Sequence, residues 1–283
     1  MEKKNLYTTH LLILLVLINL SSSLNVPAIF IFGDSVFDAG NNHFIKNCSV
    51  QADFPPYGST FFHHPTGRFT DGRTVADFIS QFIGIGLQQP YLEAQIAVMN
   101  GSSKEYPSNG LNFASAGSGV LQGTNKDWSG SNDIFNYFLP LDTPKLDPDA
   151  YVEAMVKEVT NLTDQIYKVG ARRIVVFSLG PVGCVPARAL LPAAPIKRCY
   201  GKMNAMVKKY NKGLESLVND IPTRHPGAIG VYGAVYDTVQ HLRAAPTRYG
   251  FSNVSSACCG DGPLGGEVQC GKEGYKICQN PQG

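Results

Sequence analysis

Ser35 is the residue whose surroundings point first to chemistry. It follows Gly33 and Asp34 at the end of Ala28 to Phe32, a short continuous apolar run with the pattern of a strand buried on both faces. A serine one or two residues past such a strand, beside a glycine that permits a tight turn, can present its hydroxyl next to backbone N–H groups. Nucleophilic acyl transfer needs that arrangement. Asp and Ser also favour ordinary helix-capping turns, so this loop alone divides evenly between the two readings. The other glycine-rich stretches do not suit phosphate. Gly180-Pro181-Val182-Gly183 lacks the Gly-Lys-Ser/Thr of a phosphate loop, and Gly117-Ser118-Gly119 follows no strand-to-helix fingerprint. The Gly-x-Ser-x-Gly elbow of α/β-hydrolases is absent around Ser35.

Such a loop must be positioned by regular elements, and the chain supplies them in alternation. Asp147 is set to cap a helix with Pro148 as its first residue, and Tyr151, Met155, Val159, Leu162 and Ile166 recur at helical spacing until Gly170. Arg173 to Ser178 reads as a strand. Met203, Val207, Tyr210, Leu214, Leu217 and Val218 mark a second amphipathic helix, and Ala228 to Tyr232 a further strand. Helices alternating with buried strands predict an α/β fold, a parallel sheet doubly wound in the flavodoxin-like manner with helices on both faces. Reactive groups then gather in the loops after the carboxyl ends of strands, which include those after Phe32 and Ser178.

Bulk properties narrow the function. The 283 residues suit one large domain, placed here at 26–283, and a net charge of +2 without a polybasic block speaks against nucleic acid as a partner. Lys3 and Lys4, the apolar run Leu11 to Leu20, and Ser21 to Ser23 have the order of a secretory signal, assigned to residues 1–25. As a helix that run rises only about 15 Å, too little to span a bilayer core. Export predicts an oxidising compartment and disulfides among Cys184, Cys199, Cys258, Cys259, Cys270 and Cys278, with Cys48 left over from an odd count of seven. No spacing suits a metal, and no cofactor is implied. Asn47, Asn100, Asn161 and Asn253 each open an Asn-x-Ser/Thr glycosylation sequon.

Several blocks, taken in order, resemble the plant GDSL esterase/lipase family of SGNH hydrolases from about Val26 onward. They are Phe32-Gly33-Asp34-Ser35 with Asp38, Gly40, Asn41 and Asn42; Phe54-Pro55-Pro56-Tyr57-Gly58; Pro65-Thr66-Gly67-Arg68-Phe69 with Asp71, Gly72 and Arg73; Asn112 to Gly117; Gly130-Ser131-Asn132-Asp133; Gly180 to Pro186; and Cys258-Cys259-Gly260. The resemblance implies an SGNH-type fold and secreted hydrolysis of lipid or acyl esters, in the cell wall or apoplast. Ser35 is then the nucleophile, and the oxyanion is held by the N–H groups of Ser35 and Gly117 and the side-chain amide of Asn132.

Two features depart from the family pattern. The family base is a histidine in an Asp-x-x-His-Pro motif, and no Asp in these 283 residues has His three places on. The chain reads as truncated just before that motif. His43, His63, His64, His225 and His241 are expected to be loop or surface residues, with Asp237 and His241 spaced as a helix pair. The polar stretch Gly123 to Trp128 runs almost directly into Gly130, so a helix and the strand that aims Asn132 are expected to be deleted near 128–129. Family function, a catalytically inactive glycoprotein that keeps the pocket, and a non-enzymatic wall protein are the three resulting hypotheses. The ordered blocks make the last the weakest.

Overall fold

The structure is a computed structural model that describes residues 26–121, 130–140 and 146–279. The signal assigned to 1–25, the junction near 128–129 and the last four residues lie outside the described residues.

Strand β1 (Ile29–Ile31) pairs in parallel with β3 (Gly110–Asn112), which pairs in parallel with β2 (Gln89–Pro90). Helices α1 (Val75–Phe82) and α2 (Tyr91–Met99) belong to this half. Later come α3 (Gly130–Tyr137), α4 (Pro148–Lys168), β4 (Arg173–Phe177), α5 (Gly201–Arg224), β5 (Ile229–Gly233) and α6 (Val235–Ala244). β4 and β5 pair in parallel, with Val175 opposite Val231. Among the described residues the parallel strands therefore form two ribbons, β1-β3-β2 and β4-β5. A small antiparallel sheet closes the described chain, with β6 (Cys259–Asp261) between β7 (Val268–Gln269) and β8 (Lys276–Ile277).

Local chemistry accounts for most boundaries. The Asp147 carboxylate accepts the N–H groups of Asp149 and Ala150, Pro148 starts α4, and Gly170 at φ +111° lets the chain turn back toward β4. Thr74 and Asp77 form a reciprocal capping box on α1. This helix turns Ala76, Asp77 and Ser80 inward and leaves Val75, Phe78 and Phe82 exposed, the reverse of an ordinary amphipathic helix. The main core lies between α4, α5 and α3, where Met155, Met203, Val207, Tyr210, Leu214 and Ile134 are buried. Gly213 lets α5 approach Val156 of α4, since a Cβ there would stand 2.6 Å from that side chain.

The sheet faces correct one expectation. The strand read as buried on both faces is not: Ile31 packs against Ala76 and Ala114, but Phe30 is 60 % exposed. Likewise Ile174 is covered, with Val218 and Ile221 of α5 beside it, while Val175, Ile229 and Val231 on the opposite face are open. The β4-β5 ribbon has a helix layer on one side and bare apolar surface on the other, whereas beside Phe30 its partner Leu111 in β3 is buried. Ile174 is 4 % and Val175 51 % exposed. Ile174→Ala is expected to destabilise by about 2–5 kcal/mol, and Val175→Ala by no more than about 0.5 kcal/mol, as read by denaturant unfolding.

Candidate active site

The loop after β1 is built around Asp34. Its carboxylate accepts the Val36 N–H at 3.0 Å, and its carbonyl accepts those of Phe37 and Asp38 at 3.1 and 3.0 Å. The turn leaves Ser35 half-buried, and its hydroxyl makes no hydrogen bond among the described residues. The Gly33 carbonyl accepts the Ser115 N–H and the Ser118 hydroxyl, both at 3.0 Å, which brings the stretch 115–118 alongside.

The two loops are laced together by buried polar side chains. One oxygen of Asp38 accepts the N–H groups of Gly40 and Asn41 at 2.7 Å each, and the other accepts that of Ala116 at 3.0 Å. The Asn41 amide donates to the Asn112 and Ala114 carbonyls at 2.8 Å. Asn42 donates to Ala116 O at 3.0 Å and accepts from Ala116 N and the Ser115 hydroxyl at 3.0 and 2.7 Å. Asn112 reaches back to Phe37 O at 2.7 Å. Burial pushes the Asp38 carboxyl above the usual carboxylate range, against the opposing pull of its N–H donors.

A second anchor lies behind this network. Arg68 makes two hydrogen bonds to Asp77, at 2.8 and 3.0 Å, and donates to Ala39 O at 3.1 Å. Gly40 and Gly67 touch through their backbones: at φ +123° a Cβ on Gly40 would sit 2.5 Å from Thr66 O.

Three consecutive residues of α3 close the site. Ser131 donates to Asp34, next to Ser35. Asn132 donates to Ser118 O at 2.7 Å, next to Gly117. Asp133, fully buried, accepts the Val120 and Leu121 N–H groups at 2.6 and 3.2 Å. Gly130 fits where a Cβ would stand 2.7 Å from Tyr210 and 2.9 Å from Met155, so the helix start is seated on the core. Asn132 is thus carried on α3, with its amide tied to the Ser118 carbonyl.

What the arrangement offers chemically is a set of unused donors. The backbone N–H groups of Ser35 and Gly117 have no partner among the described residues, whereas the Ala116 N–H between them in the network is taken twice. Gly117 sits at φ +87°, a left-handed conformation that favours glycine. Unpaired N–H groups beside a free hydroxyl suit a developing oxyanion. The Asn132 amide has one hydrogen committed to Ser118 O and a second remaining.

Among the described residues no histidine joins this group. His43 Nδ1 lies 3.1 Å from Asp53 and the ring is exposed. His225 stacks on Tyr167 at 4.4 Å, with Nε2 3.0 Å from Asp164 but not aligned for a hydrogen bond. It follows the carboxyl end of α5 and precedes the amino end of β5, and none of its contacts is with the Ser35 loop. His63 and His64 are exposed loop residues, and His241 and Asp237 are exposed on α6. Among the described residues no cluster suited to a metal occurs. Cys184–Cys199, Cys258–Cys278 and Cys259–Cys270 are disulfides and Cys48 is free, as the odd count suggests.

The profile of a family described as GDSL-like Lipase/Acylhydrolase matches residues 29–127 and 128–276. The chain belongs to this family. It is 60 % identical over 294 residues to GDSL esterase/lipase 6 of Arabidopsis thaliana, covering 92 % of this chain and 81 % of the relative. It is 32 % identical to GDSL esterase/lipase 5 of the same plant, covering 91 % and 77 %. The first alignment is longer than the 283-residue chain while taking in only part of it, so the relative carries residues without a counterpart inside the matched stretch. Membership makes the protein, by family, a carboxylic-ester hydrolase acting on small-molecule esters.

Sequence reasoning brought forward Ser35, Gly117 and Asn132, and the structure gathers the loops that carry all three. It did not assign roles to Asp38, Asn41, Asn42, Asn112, Ser118 or the Arg68–Asp77 pair. The available signal was the density of Asp and Asn just after Ser35, residues seldom buried without partners. Arg68→Ala leaves Asp77 buried and uncompensated, so a loss of about 3–5 kcal/mol is expected in denaturant unfolding.

Proposed function

We propose that the protein hydrolyses lipid or acyl carboxylic esters through an acyl-Ser35 intermediate. The observation that carries this reading is that the Ser35 hydroxyl and the N–H groups of Ser35 and Gly117 are all without a partner among the described residues, on two loops laced together by hydrogen bonds. The hydroxyl oxygen adds to the ester carbonyl, the N–H groups of Ser35 and Gly117 and the second hydrogen of Asn132 meet the oxyanion, and the alcohol leaves. Water then attacks the acyl-enzyme and releases the acid. A base must take the serine proton, and in the family pattern it belongs to an Asp-x-x-His-Pro motif that these 283 residues do not contain.

The same reading treats residues 26–283 as one SGNH-type domain. The two parallel ribbons are read as halves of a doubly wound sheet, for among the described residues β1 and β4 each have a partner on one side only. The residues that the 60 % identical relative carries inside the match support a strand and helix missing here near 128–129. Export to the cell exterior is supported by the Lys3 to Ser23 pattern and by three disulfides. No helix among the described residues is long and apolar enough to cross a membrane.

Hydrolysis of a short-chain aryl ester tests the mechanism. The polypeptide ending at Gly283 is expected to turn over slowly, and the same polypeptide extended by a family Asp-x-x-His-Pro segment to gain activity. Ser35→Ala in the extended form is expected to lose on the order of 10⁴-fold or more; retained activity removes Ser35 from the mechanism. Glycan mapping after expression through a eukaryotic secretory route tests export chemistry. Asn47, Asn100 and Asn253 are exposed and expected to be occupied. Asn161 lies inside α4, with Thr163 of its sequon buried and bonded to Val159 O, and is expected to be bare. Glycan at Asn161 with none at the other three counts against the assignment.

A further inference from the structure

We infer that Asp38 is a positioning residue for ester hydrolysis: by holding the Ala116 N–H it sets the neighbouring peptide so that the Gly117 N–H is the donor offered beside Ser35. The inference rests on the reading of Ser35 as nucleophile. Its ground is a geometric feature of the loop pair. Asp38 is fully buried, and its two carboxylate oxygens serve different loops: one takes the Gly40 and Asn41 N–H groups of the Ser35 loop, the other the Ala116 N–H. The carboxylate is thus a bridge of fixed length between nucleophile and oxyanion donor.

Peptide planarity carries the effect one residue further. The Ala116 carbonyl and the Gly117 N–H belong to one trans peptide and point in opposite directions. That carbonyl accepts from the Asn42 amide at 3.0 Å, so the Gly117 N–H is aimed away from Asn42 and into the unpartnered state observed. Asp38 and Asn42 between them hold both ends of Ala116, while Gly117 at φ +87° lets the chain leave in the required direction. Asn112, whose amide holds Phe37 O, keeps Asp38 in register from the other side.

Asp38→Asn isolates this role. The amide has the same shape and removes a buried charge, but one carboxylate oxygen becomes an NH₂ that cannot accept an N–H, so the melting temperature is expected to fall while the variant remains folded at the assay temperature. The probe is an alkyl fluorophosphonate at alkaline pH, with the adduct at Ser35 followed by mass spectrometry. The serine oxygen forms the P–O bond, fluoride leaves, and hydroxide takes the proton to give water, so no protein base is required. The Asp38→Asn chain, assayed below its unfolding transition, is expected to have its maximal labelling rate lowered about 100-fold, the typical effect of a misplaced oxyanion donor, with the half-saturating probe concentration unchanged. An undiminished maximal rate in the folded variant overturns the inference. A merely structural role would lower the melting temperature and leave the maximal rate of the folded variant unchanged. Amide hydrogen exchange of the unsubstituted chain gives a second readout should the variant not fold or the chain not label: Ala116 must exchange slowly and Gly117 fast, and equal rates refute the inference. Absence of a Ser35 adduct in the unsubstituted chain counts against Ser35 as nucleophile, leaving the exchange pattern to decide the role of Asp38.

Discussion

The hydrogen bonds that Ala116 shares with Asp38 and Asn42 are the constraint on which the rest of the site depends. Two loops from different strands must stand at fixed separation if a hydroxyl on one and an N–H on the other are to act on the same carbonyl. Flexible surface contacts hold such spacing poorly. Buried polar groups hold it well, because each one left unpaired costs about 1–3 kcal/mol and no alternative partner is at hand. Asp38, Asn41, Asn42 and Asn112 are all nearly inaccessible and all bonded across the loop pair. The close approach of Gly40 to Gly67 and the hold of Arg68 on Ala39 O extend the same lacing to the start of α1.

Helix α3 carries the constraint from one half of the fold to the other. Its first residue is seated on Tyr210 and Met155, in the core of the half that contains β4 and β5. Its next three side chains bond to Asp34, Ser118, Val120 and Leu121, in the half that contains β1 and β3. With the parallel strands in two ribbons, no sheet hydrogen bonds join the halves among the described residues. A short helix with one apolar footing and three polar contacts contributes to that joining, as does Phe37 against Phe177 at 5.3 Å. The cost is visible on the bare faces around Phe30, Val175 and Val231, apolar surface that a continuous layered α/β domain ordinarily covers.

The cysteine-rich tail ties loops together as well. Cys258–Cys278 and Cys259–Cys270 staple three very short strands that have little core of their own. Gly271 of this unit lies against Phe54, where a Cβ would stand 2.2 Å from the ring, and Gly266 packs on the Pro186 carbonyl. Family blocks far apart in the chain, Phe54 to Gly58 and Gly180 to Pro186, are thereby held by one disulfide-bonded piece.

Much of this was legible in the sequence because it follows from local rules. The Asp147-Pro148 start of α4, its end before Gly170, the strands beginning near Arg173 and Ala228, and the odd thiol at Cys48 are set by capping, periodicity and parity, which act within a few residues or on a count. The serine loop and the family itself were legible from short ordered blocks. The burial of β1 was not, since Phe30 and Ile31 are equally apolar and only the placement of α1 decides which is covered. Nor were the tasks of Asp38, Asn42 and Asp133, because a polar side chain acquires a partner 12 to 78 residues away only when the chain has folded. The sequence by itself determined the elements from Asp147 to Tyr232, the family and the nucleophile candidate, through interactions between near neighbours. The tertiary structure alone decided which N–H groups are consumed and which are left free, because that outcome depends on the directions of peptide planes brought together from distant parts of the chain.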